Sequence, residues 1–157
     1  MSKSKLYLLL TLALPLVFSK PAYSQQTIEI DTFIFKVGYF DELSEAFKTP
    51  MEVLYLDLSM RKFTEIPAAL GDFENLIRLD LSYNKFTSLP PELGKLSKVT
   101  FFSLTGCYNM TSVPDELKNL SSLEELYLED MLKSQAALVE RIVAMFPDIK
   151  VVTGTRR

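Results

Sequence analysis

The sequence contains no histidine and only one cysteine, Cys107, among its 157 residues. Without histidine, imidazole acid–base catalysis, Ser-His and Cys-His nucleophile pairs, and metal sites of histidine and cysteine are excluded. A single cysteine forms no internal disulfide, so the fold must be stabilised by packing. The five glycines form no GxG motif and no GxSxG motif is present, which excludes a glycine-rich phosphate loop and a nucleophile elbow.

The composition and the length are those of one globular domain. Hydrophobic residues make up 48% of the chain and charged residues 24%, so the chain can bury a core and is not compositionally disordered. A chain of this length predicts a single domain.

Residues 1–24 have the pattern of a signal peptide. Two lysines precede a thirteen-residue apolar run, 6–18, and a small-x-small site, Ala22-Tyr23-Ser24, follows it. The alternative is a membrane anchor, although the run is short for a bilayer. No cysteine follows closely enough for lipidation at a lipobox. We therefore predict an exported chain (secreted, periplasmic or on the cell surface) that is cleaved near Ser24.

Cleavage would also make the chain more acidic. The 17 basic and 20 acidic residues give a formal net charge of −3, and residues 1–24 carry three lysines and no acid. Their removal leaves 14 basic against 20 acidic residues, a net charge of −6. Such a chain lacks the basic footprint that nucleic-acid phosphates require, so we predict no nucleic-acid partner.

Four segments share one spacing of apolar residues. They begin as VLYLDLS, LIRLDLS, VTFFSLT and LEELYLE, and their starts are 23, 23 and 24 residues apart at Val53, Leu76, Val99 and Leu123. Each of the first three ends in an apolar residue, a proline, and another apolar residue three positions later. These sets are Ile66-Pro67-Leu70, Leu89-Pro90-Leu93 and Val113-Pro114-Leu117.

This spacing predicts a strand followed by a tight return in every unit. Alternating residues such as Leu79 and Leu81 point to one face of a strand. The proline then interrupts extended pairing, and the apolar residues after it suit a 3₁₀ or short helical return. One unit cannot bury its own leucines, so the units must stack into a coil with a parallel sheet on one side.

These units resemble the leucine-rich repeat family, through the pattern LxxLxLxx(N/C)xL followed by xxLPxxLxxL. The resemblance covers about 53–130 and implies an α/β fold, a short solenoid whose parallel sheet lines the concave side. In that family the ninth residue ties successive turns into a structural ladder, a role that falls to Asn84 and Cys107. Arg61 and Met131 depart from the pattern. The opening FDELSEAFKTPMEVLYLDLS resembles the entry segment of small exported bacterial members of the family. The ending, a helix followed by Pro147, Asp148 and Ile149, resembles the closing element of many leucine-rich-repeat proteins.

The resemblance divides the exported chain into an N-terminal cap at 25–52, repeats at 53–131 (three full and one partial), and a C-terminal cap at 132–157. In the first cap, residues 27–37 read as extended, and Asp41 is positioned to cap a short helix at 42–48. In the last cap, Ser134 is positioned to cap a helix from Gln135 to Phe146, and IKVV at 149–152 predicts a final strand.

The residues between the leucines are predicted to point outward on the concave face. Position three of each unit gives Tyr55, Arg78, Phe101 and Glu125, position five gives Asp57, Asp80, Ser103 and Tyr127, and position eight gives Met60, Tyr83, Gly106 and Asp130. Aromatic and arginine side chains dominate binding hot spots. The candidate partner-binding residues are therefore Tyr55, Asp57, Arg78, Asp80, Tyr83, Phe101, Glu125 and Tyr127; the alternative is that they are ordinary strand residues of high β-propensity.

Carboxylates on this face raise two further hypotheses. Asp57 and Asp80 should lie about 5 Å apart on neighbouring strands, a spacing shared by retaining glycosidases and calcium sites. We favour instead a like-charge contact that Arg78 or a partner's basic side chain relieves. The last unit concentrates acidic residues that suit a basic patch on a partner, or simply a solvated edge. They are Glu124, Glu125, Glu129 and Asp130.

Three isolated features carry less information. Cys107 is either a reactive thiol that pairs between chains or, as its ladder position implies, a buried and inert one. Asn109 and Asn119 each begin an N-x-S/T sequence, which matters only in a eukaryote. An unpaired sheet edge at 27–37 would allow dimerisation, but the sequence does not specify an oligomeric state.

The sequence therefore predicts an exported, non-catalytic module that binds a protein or peptide on its concave face, without a cofactor or a metal. The step from fold to binding depends on the resemblance. Two other classes stay open: an adhesive or carbohydrate-binding surface protein, with Tyr127 beside Glu125 as the sugar platform, and an enzyme, which the missing histidine disfavours.

Overall fold

The computed structural model of this chain describes residues 38–155, in which six parallel strands form one sheet. The strands lie in the sheet in the order of the sequence, each hydrogen-bonded to the next. This is the topology that stacked repeats produce, because each unit adds one strand beside the previous one. The strands are β1 (Tyr39–Phe40), β2 (Tyr55–Asp57), β3 (Arg78–Asp80), β4 (Phe101–Ser103), β5 (Glu125–Glu129) and β6 (Lys150–Gly154).

A 3₁₀ helix returns the chain after each of β2, β3 and β4. These helices span Ala68–Asp72, Pro91–Lys95 and Asp115–Asn119, and a proline stands directly before each of them. The prolines have φ near −70° and extended ψ, so they end the preceding segment and set the direction of the return. The prediction of 3₁₀ or short helical returns after the proline is confirmed.

The core lies between the sheet and the returns. The fourth and sixth residues of every unit point into it and are at most 2% exposed, while the returns add the apolar residues that follow each proline. These residues belong to one cluster, so the core runs along the whole stack. The inward residues of the strands are Leu56, Leu58, Leu79, Leu81, Phe102, Leu104, Leu126 and Leu128.

The eighth residue of every unit has a left-handed backbone. The φ angles are 58° at Met60, 55° at Tyr83, 66° at Gly106 and 55° at Asp130. This conformation is strained for residues other than glycine, and it recurs because the chain must leave each strand in the same direction. Strands in register therefore require the same turn in every unit.

The N-terminal cap differs from its prediction in one contact. Helix α1 spans only Leu43–Ala46, and no side chain caps it, so the prediction that Asp41 is the cap is wrong. Asp41 and Glu42 instead form ion pairs with Arg61, at 3.3 and 2.8 Å. Arg61 replaces the expected ladder residue of the first unit, and it thereby joins the cap to that unit's turn.

The C-terminal cap begins with a 3₁₀ helix, Lys133–Gln135, which continues into helix α2, Ala136–Met145. No side chain caps α2, and Ser134 lies inside the 3₁₀ helix, so the prediction of a Ser134 cap is wrong. Strand β6 pairs with β5 over five residues, which confirms the strand predicted from IKVV.

Gln135 connects this cap to the repeats. It is 8% exposed, and its amide nitrogen donates to the carbonyl oxygens of Cys107 and Met110, at 3.0 and 2.7 Å. Its amide oxygen accepts from the backbone of Leu132 at 2.9 Å. Gln135 thus takes over the linking role that Met131 cannot perform.

The predicted signal peptide, 1–24, and the extended segment at 27–37 lie outside the described residues. Within residues 38–155, no helix has the length and apolar character needed to cross a membrane.

Candidate functional site

One column of side chains crosses the concave face on all six strands. The pairing register aligns the third residue of each unit, as the repeat spacing predicts, and extends the column into both caps. The repeat spacing does not indicate the two end members, Tyr39 and Lys150, because they lie in caps that lack the repeat pattern. In strand order the column is Tyr39, Tyr55, Arg78, Phe101, Glu125 and Lys150.

Four side chains of this face form a continuous stack. The guanidinium carbon of Arg78 lies 3.8 Å from the centre of the Phe101 ring. The Phe101 and Tyr127 rings are 5.0 Å apart at an interplanar angle of 37°, and Lys150 Nζ lies 5.9 Å from the centre of the Tyr127 ring. A cation over an aromatic face is attracted by the ring quadrupole. The stack therefore holds two cations and two rings in one arrangement on strands β3 to β6.

Glu125 belongs to the same group of contacts. Its Oε1 accepts from Lys150 Nζ at 2.6 Å, and its Oε2 accepts from the Tyr127 hydroxyl at 3.2 Å. The hydrogen bond from Lys150 lowers the pKa of Glu125, and the same hydrogen bond raises the pKa of Lys150. The negative charge of the acidic residues in the last unit is therefore partly neutralised, because Glu125 is paired with Lys150 from the cap.

Asp57 and Asp80 are direct neighbours in the sheet, but Arg78 does not pair with them. Among residues 38–155, no ion pair joins Arg78 to either carboxylate, and the guanidinium packs on Phe101. The backbone N–H two residues later holds each carboxylate, from Ser59 at 2.9 Å and from Ser82 at 2.8 Å. Arg78 therefore does not relieve the like-charge contact through an ion pair, and relief by a partner's basic side chain stays a prediction.

These two carboxylates border a small cavity that opens on the concave face. Its volume is about 130 Å³. Three aromatic side chains, an arginine and an apolar strand residue complete the lining. The lining residues are Tyr39, Tyr55, Leu56, Asp57, Arg78, Asp80 and Phe101. The cavity combines aromatic walls with negative charge in the N-terminal half of the sheet.

Tyr83 lies apart from the stack and from this cavity's lining. Its hydroxyl donates to Asp130 Oδ2 at 2.7 Å, so the side chain reaches from the second unit to the fourth. The ring passes over Gly106, where even a Cβ atom would overlap it.

Ser103, the fifth residue of the third unit, belongs to the interior and not to the face. It is 2% exposed, and its hydroxyl lies 2.7 Å from that of Ser82.

Asn84 and Cys107 lie behind the face and link the turns. The Asn84 amide nitrogen donates to the carbonyl oxygens of Leu58 and Leu81, at 2.8 and 2.9 Å, and its oxygen accepts from the backbone of Phe63 at 3.0 Å. Cys107 Sγ donates to the carbonyl oxygen of Leu81 at 3.4 Å. Burial raises the pKa of the Cys107 thiol to about 11, so the thiol is protonated and unreactive at neutral pH.

Comparison with known proteins finds a family match within the repeats. The Leucine Rich Repeat family model matches residues 75–96, which cover most of the second unit. An internalin from Listeria monocytogenes has a similar structure, with a TM-score of 0.50 and 16% identity over 75% of this chain and 39% of its own. A leucine-rich-repeat protein from Leptospira interrogans matches with a TM-score of 0.43 and 21% identity, over 74% of this chain and 36% of its own.

The chain thus spans less than two fifths of the length of either solved structure. No significant match is found among curated proteins. At this level of identity the internalin shows the fold alone. The predicted α/β solenoid of leucine-rich repeats, with its parallel sheet, is confirmed.

Proposed function

We propose that this leucine-rich-repeat protein is an exported, non-catalytic module that binds a protein or peptide on its concave face. Leucine-rich-repeat proteins commonly bind other proteins. The signal-like residues 1–24 support export. Tyr83 is assigned a supporting role, and Lys150 joins the residues that are proposed to contact the partner. The others are Tyr55, Asp57, Arg78, Asp80, Phe101, Glu125 and Tyr127.

The stack of Arg78, Phe101, Tyr127 and Lys150 is the observation that carries this proposal. Arginine and aromatic residues supply most of the energy at protein interfaces, because they bury large areas with few freely rotating bonds. Here two rings and two cations lie side by side on neighbouring strands, where one partner surface would cover all of them.

The contacts within the stack also prepare it for binding. Phe101 and Tyr127 support each other, and Glu125 fixes the Tyr127 hydroxyl and the Lys150 ammonium group. Side chains that are ordered before association lose less conformational entropy when the partner binds. Rigid strands therefore present a surface whose rotamers are already set.

The same geometry disfavours the carbohydrate-binding alternative. A sugar ring would need an open aromatic face on Tyr127. Phe101 stacks against the Tyr127 ring, however, and Lys150 lies near the same ring. The Tyr127 hydroxyl and one Glu125 oxygen are also already joined by a hydrogen bond. A glycan would have to displace these contacts, whereas a protein surface could pack over them.

A cross-linked pull-down from the source organism's envelope and medium tests the proposal. The purified chain serves as bait beside a face variant, Arg78→Ala with Phe101→Ala and Tyr127→Ala. A matched control carries three substitutions in the returns, Lys95→Ala, Glu116→Ala and Lys118→Ala, which are exposed positions away from the sheet. Circular dichroism shows whether each variant keeps its fold.

If the proposal is correct, one protein is enriched by the parent chain and by the control with substitutions in the returns. The same protein is not enriched by the face variant. Loss of hot-spot residues should weaken that partner at least about tenfold. Equal enrichment by the parent and the face variant would contradict a concave-face site. Enrichment of glycans on an array, abolished by Tyr127→Ala, would favour the carbohydrate alternative instead.

A further inference from the structure

We propose that the cavity between Tyr39 and Phe101 receives an arginine side chain of the partner, with Asp80 and Asp57 as its anions. This inference rests on the proposed function and specifies the chemistry of the partner. It places the basic group of the partner on strands β1 to β4 of the face, and not beside the acidic residues of β5.

The size of the cavity fits the end of one side chain. A cavity of about 150 Å³ holds a benzene molecule, and the volume here is about 130 Å³. A planar guanidinium with its last methylene group is similar in size, whereas a sugar or a stretch of peptide is larger. The cavity opens on the face that a partner would cover, so one side chain can enter while its backbone stays outside.

The carboxylates at the cavity are held in place by the protein. Asp80 Oδ1 accepts from the backbone N–H of Ser82, and Asp57 Oδ1 accepts from that of Ser59. Asp57 Oδ2 accepts from the Tyr39 hydroxyl at 3.2 Å. Asp80 Oδ2 accepts no hydrogen bond from any other residue within 38–155, so it is the atom assigned to the incoming cation.

No cation of the described part of the chain neutralises the pair. Arg78 packs on Phe101 without an ion pair to either aspartate, which leaves two carboxylates beside one guanidinium. Like charges on directly opposed strand positions are destabilising. A partner's cation between Asp57 and Asp80 would offset that repulsion.

The aromatic walls favour arginine over lysine. A guanidinium is flat and weakly hydrated, stacks on rings, and donates two parallel hydrogen bonds to carboxylates. Tyr39 and Tyr55 line the cavity and supply its aromatic walls, while Phe101 also lines it but already carries the Arg78 guanidinium on its ring. Lysine carries a compact, strongly hydrated charge that would lose its water on entering and gain less from the rings.

The acidic end of the sheet is a weaker site for the same group. Glu125 is already paired with Lys150 at 2.6 Å, and Asp130 accepts from Tyr83 at 2.7 Å. An arginine there would have to displace Lys150 from Glu125. Arg78 also lines the cavity, but no cation of residues 38–155 forms an ion pair with Asp57 or Asp80, so an arginine entering the cavity would displace none.

Nuclear magnetic resonance titration of the purified chain tests the inference. The probes are N-acetyl-arginine amide, its lysine equivalent, and N-acetyl-citrulline amide, which matches arginine in shape but is neutral. Each is added at millimolar concentration. The variants are Asp80→Asn and, as a matched control, Glu124→Gln, which removes one exposed carboxylate at the other end of the face. The carbonyl oxygen of the introduced amide would still accept the Ser82 N–H, so the turn is preserved.

The expected result is a set of arginine-induced shifts at the amides of residues 55–57 and 78–80. Asp80→Asn should weaken arginine binding about tenfold, since one charge-assisted hydrogen bond is lost. Glu124→Gln should leave it unchanged, lysine should bind more weakly, and citrulline should produce no shift.

Shifts of equal size with citrulline, equal weakening by both variants, or no shift at these amides would each overturn the inference. The pull-down separates this failure from failure of the proposed function. Suppose that the face variant loses the partner in the pull-down, but the parent protein shows no arginine binding by nuclear magnetic resonance. The concave-face binding site would then be supported, and only the arginine pocket would be contradicted.

Discussion

The hydroxyl of Tyr83 donates a 2.7 Å hydrogen bond to Asp130, 47 residues later in the chain and two units away in the stack. Both residues occupy the eighth position of their units and have left-handed backbones. Gly106 lies between them at the same position of the third unit. The tyrosine thus connects the second unit to the fourth by passing over the one unit whose eighth residue has no side chain.

Tyr83→Phe should lower the free energy of unfolding by about 1 kcal/mol, because it removes a partly buried hydrogen bond to a carboxylate and keeps the ring. Urea denaturation measures the change. Tyr108→Phe is the matched control, since Tyr108 is 46% exposed and its substitution should change stability by less than about 0.5 kcal/mol. Equal losses in the two variants would contradict a structural role for the Tyr83 hydroxyl.

Gly106→Ala should be more destabilising, by about 2 kcal/mol or more, because an added Cβ overlaps the Tyr83 ring and the φ of 66° disfavours alanine. The same substitution in a Tyr83→Ala background should cost only about 1 kcal/mol, the part due to the backbone. A double-mutant cycle by urea denaturation separates the two causes. Additive effects would show that the ring does not pack on Gly106.

Gln135→Ala should lower the free energy of unfolding by about 2 kcal/mol, because it leaves buried carbonyl groups of the third unit without their donor. Ser134→Ala, one residue earlier, should cost less than about 0.5 kcal/mol, since Ser134 is exposed and caps no helix. Thermal denaturation followed by circular dichroism compares the two. The reverse order would support the Ser134 cap that the sequence predicted.

Cys107 should make stability depend on pH in the alkaline range. Burial raises the pKa of the folded thiol from its ordinary value of 9.0 to about 11, so the neutral form is favoured on folding. The resulting stability is fully present below pH 9 and is lost as the pH rises through 11, by about 3 kcal/mol in total. Cys107→Ala should show a smaller decline over this window in denaturant titrations. Identical slopes in the two proteins would contradict the shift.

The sequence by itself determined the repeat architecture. Leucines at fixed spacing must share one side of each strand, and the prolines at fixed phase start the returns, so both the parallel sheet and the 3₁₀ segments follow from local rules. The alignment of Arg78 with Phe101, and of Asp57 with Asp80, follows too, because units of equal length keep their strands in register.

Only the tertiary structure decided what the outward side chains contact. Arg78 packs on Phe101 of the next strand and forms no ion pair with Asp80, two residues away, or with Asp57 of the preceding strand. The repeat spacing brings all three within reach and does not choose among them. Tyr39, Gln135 and Lys150 lie in the caps, where no repeat pattern assigns them a position. They join the face and the core because the solenoid brings its ends beside the first and last units, and that proximity comes from stacking the whole chain.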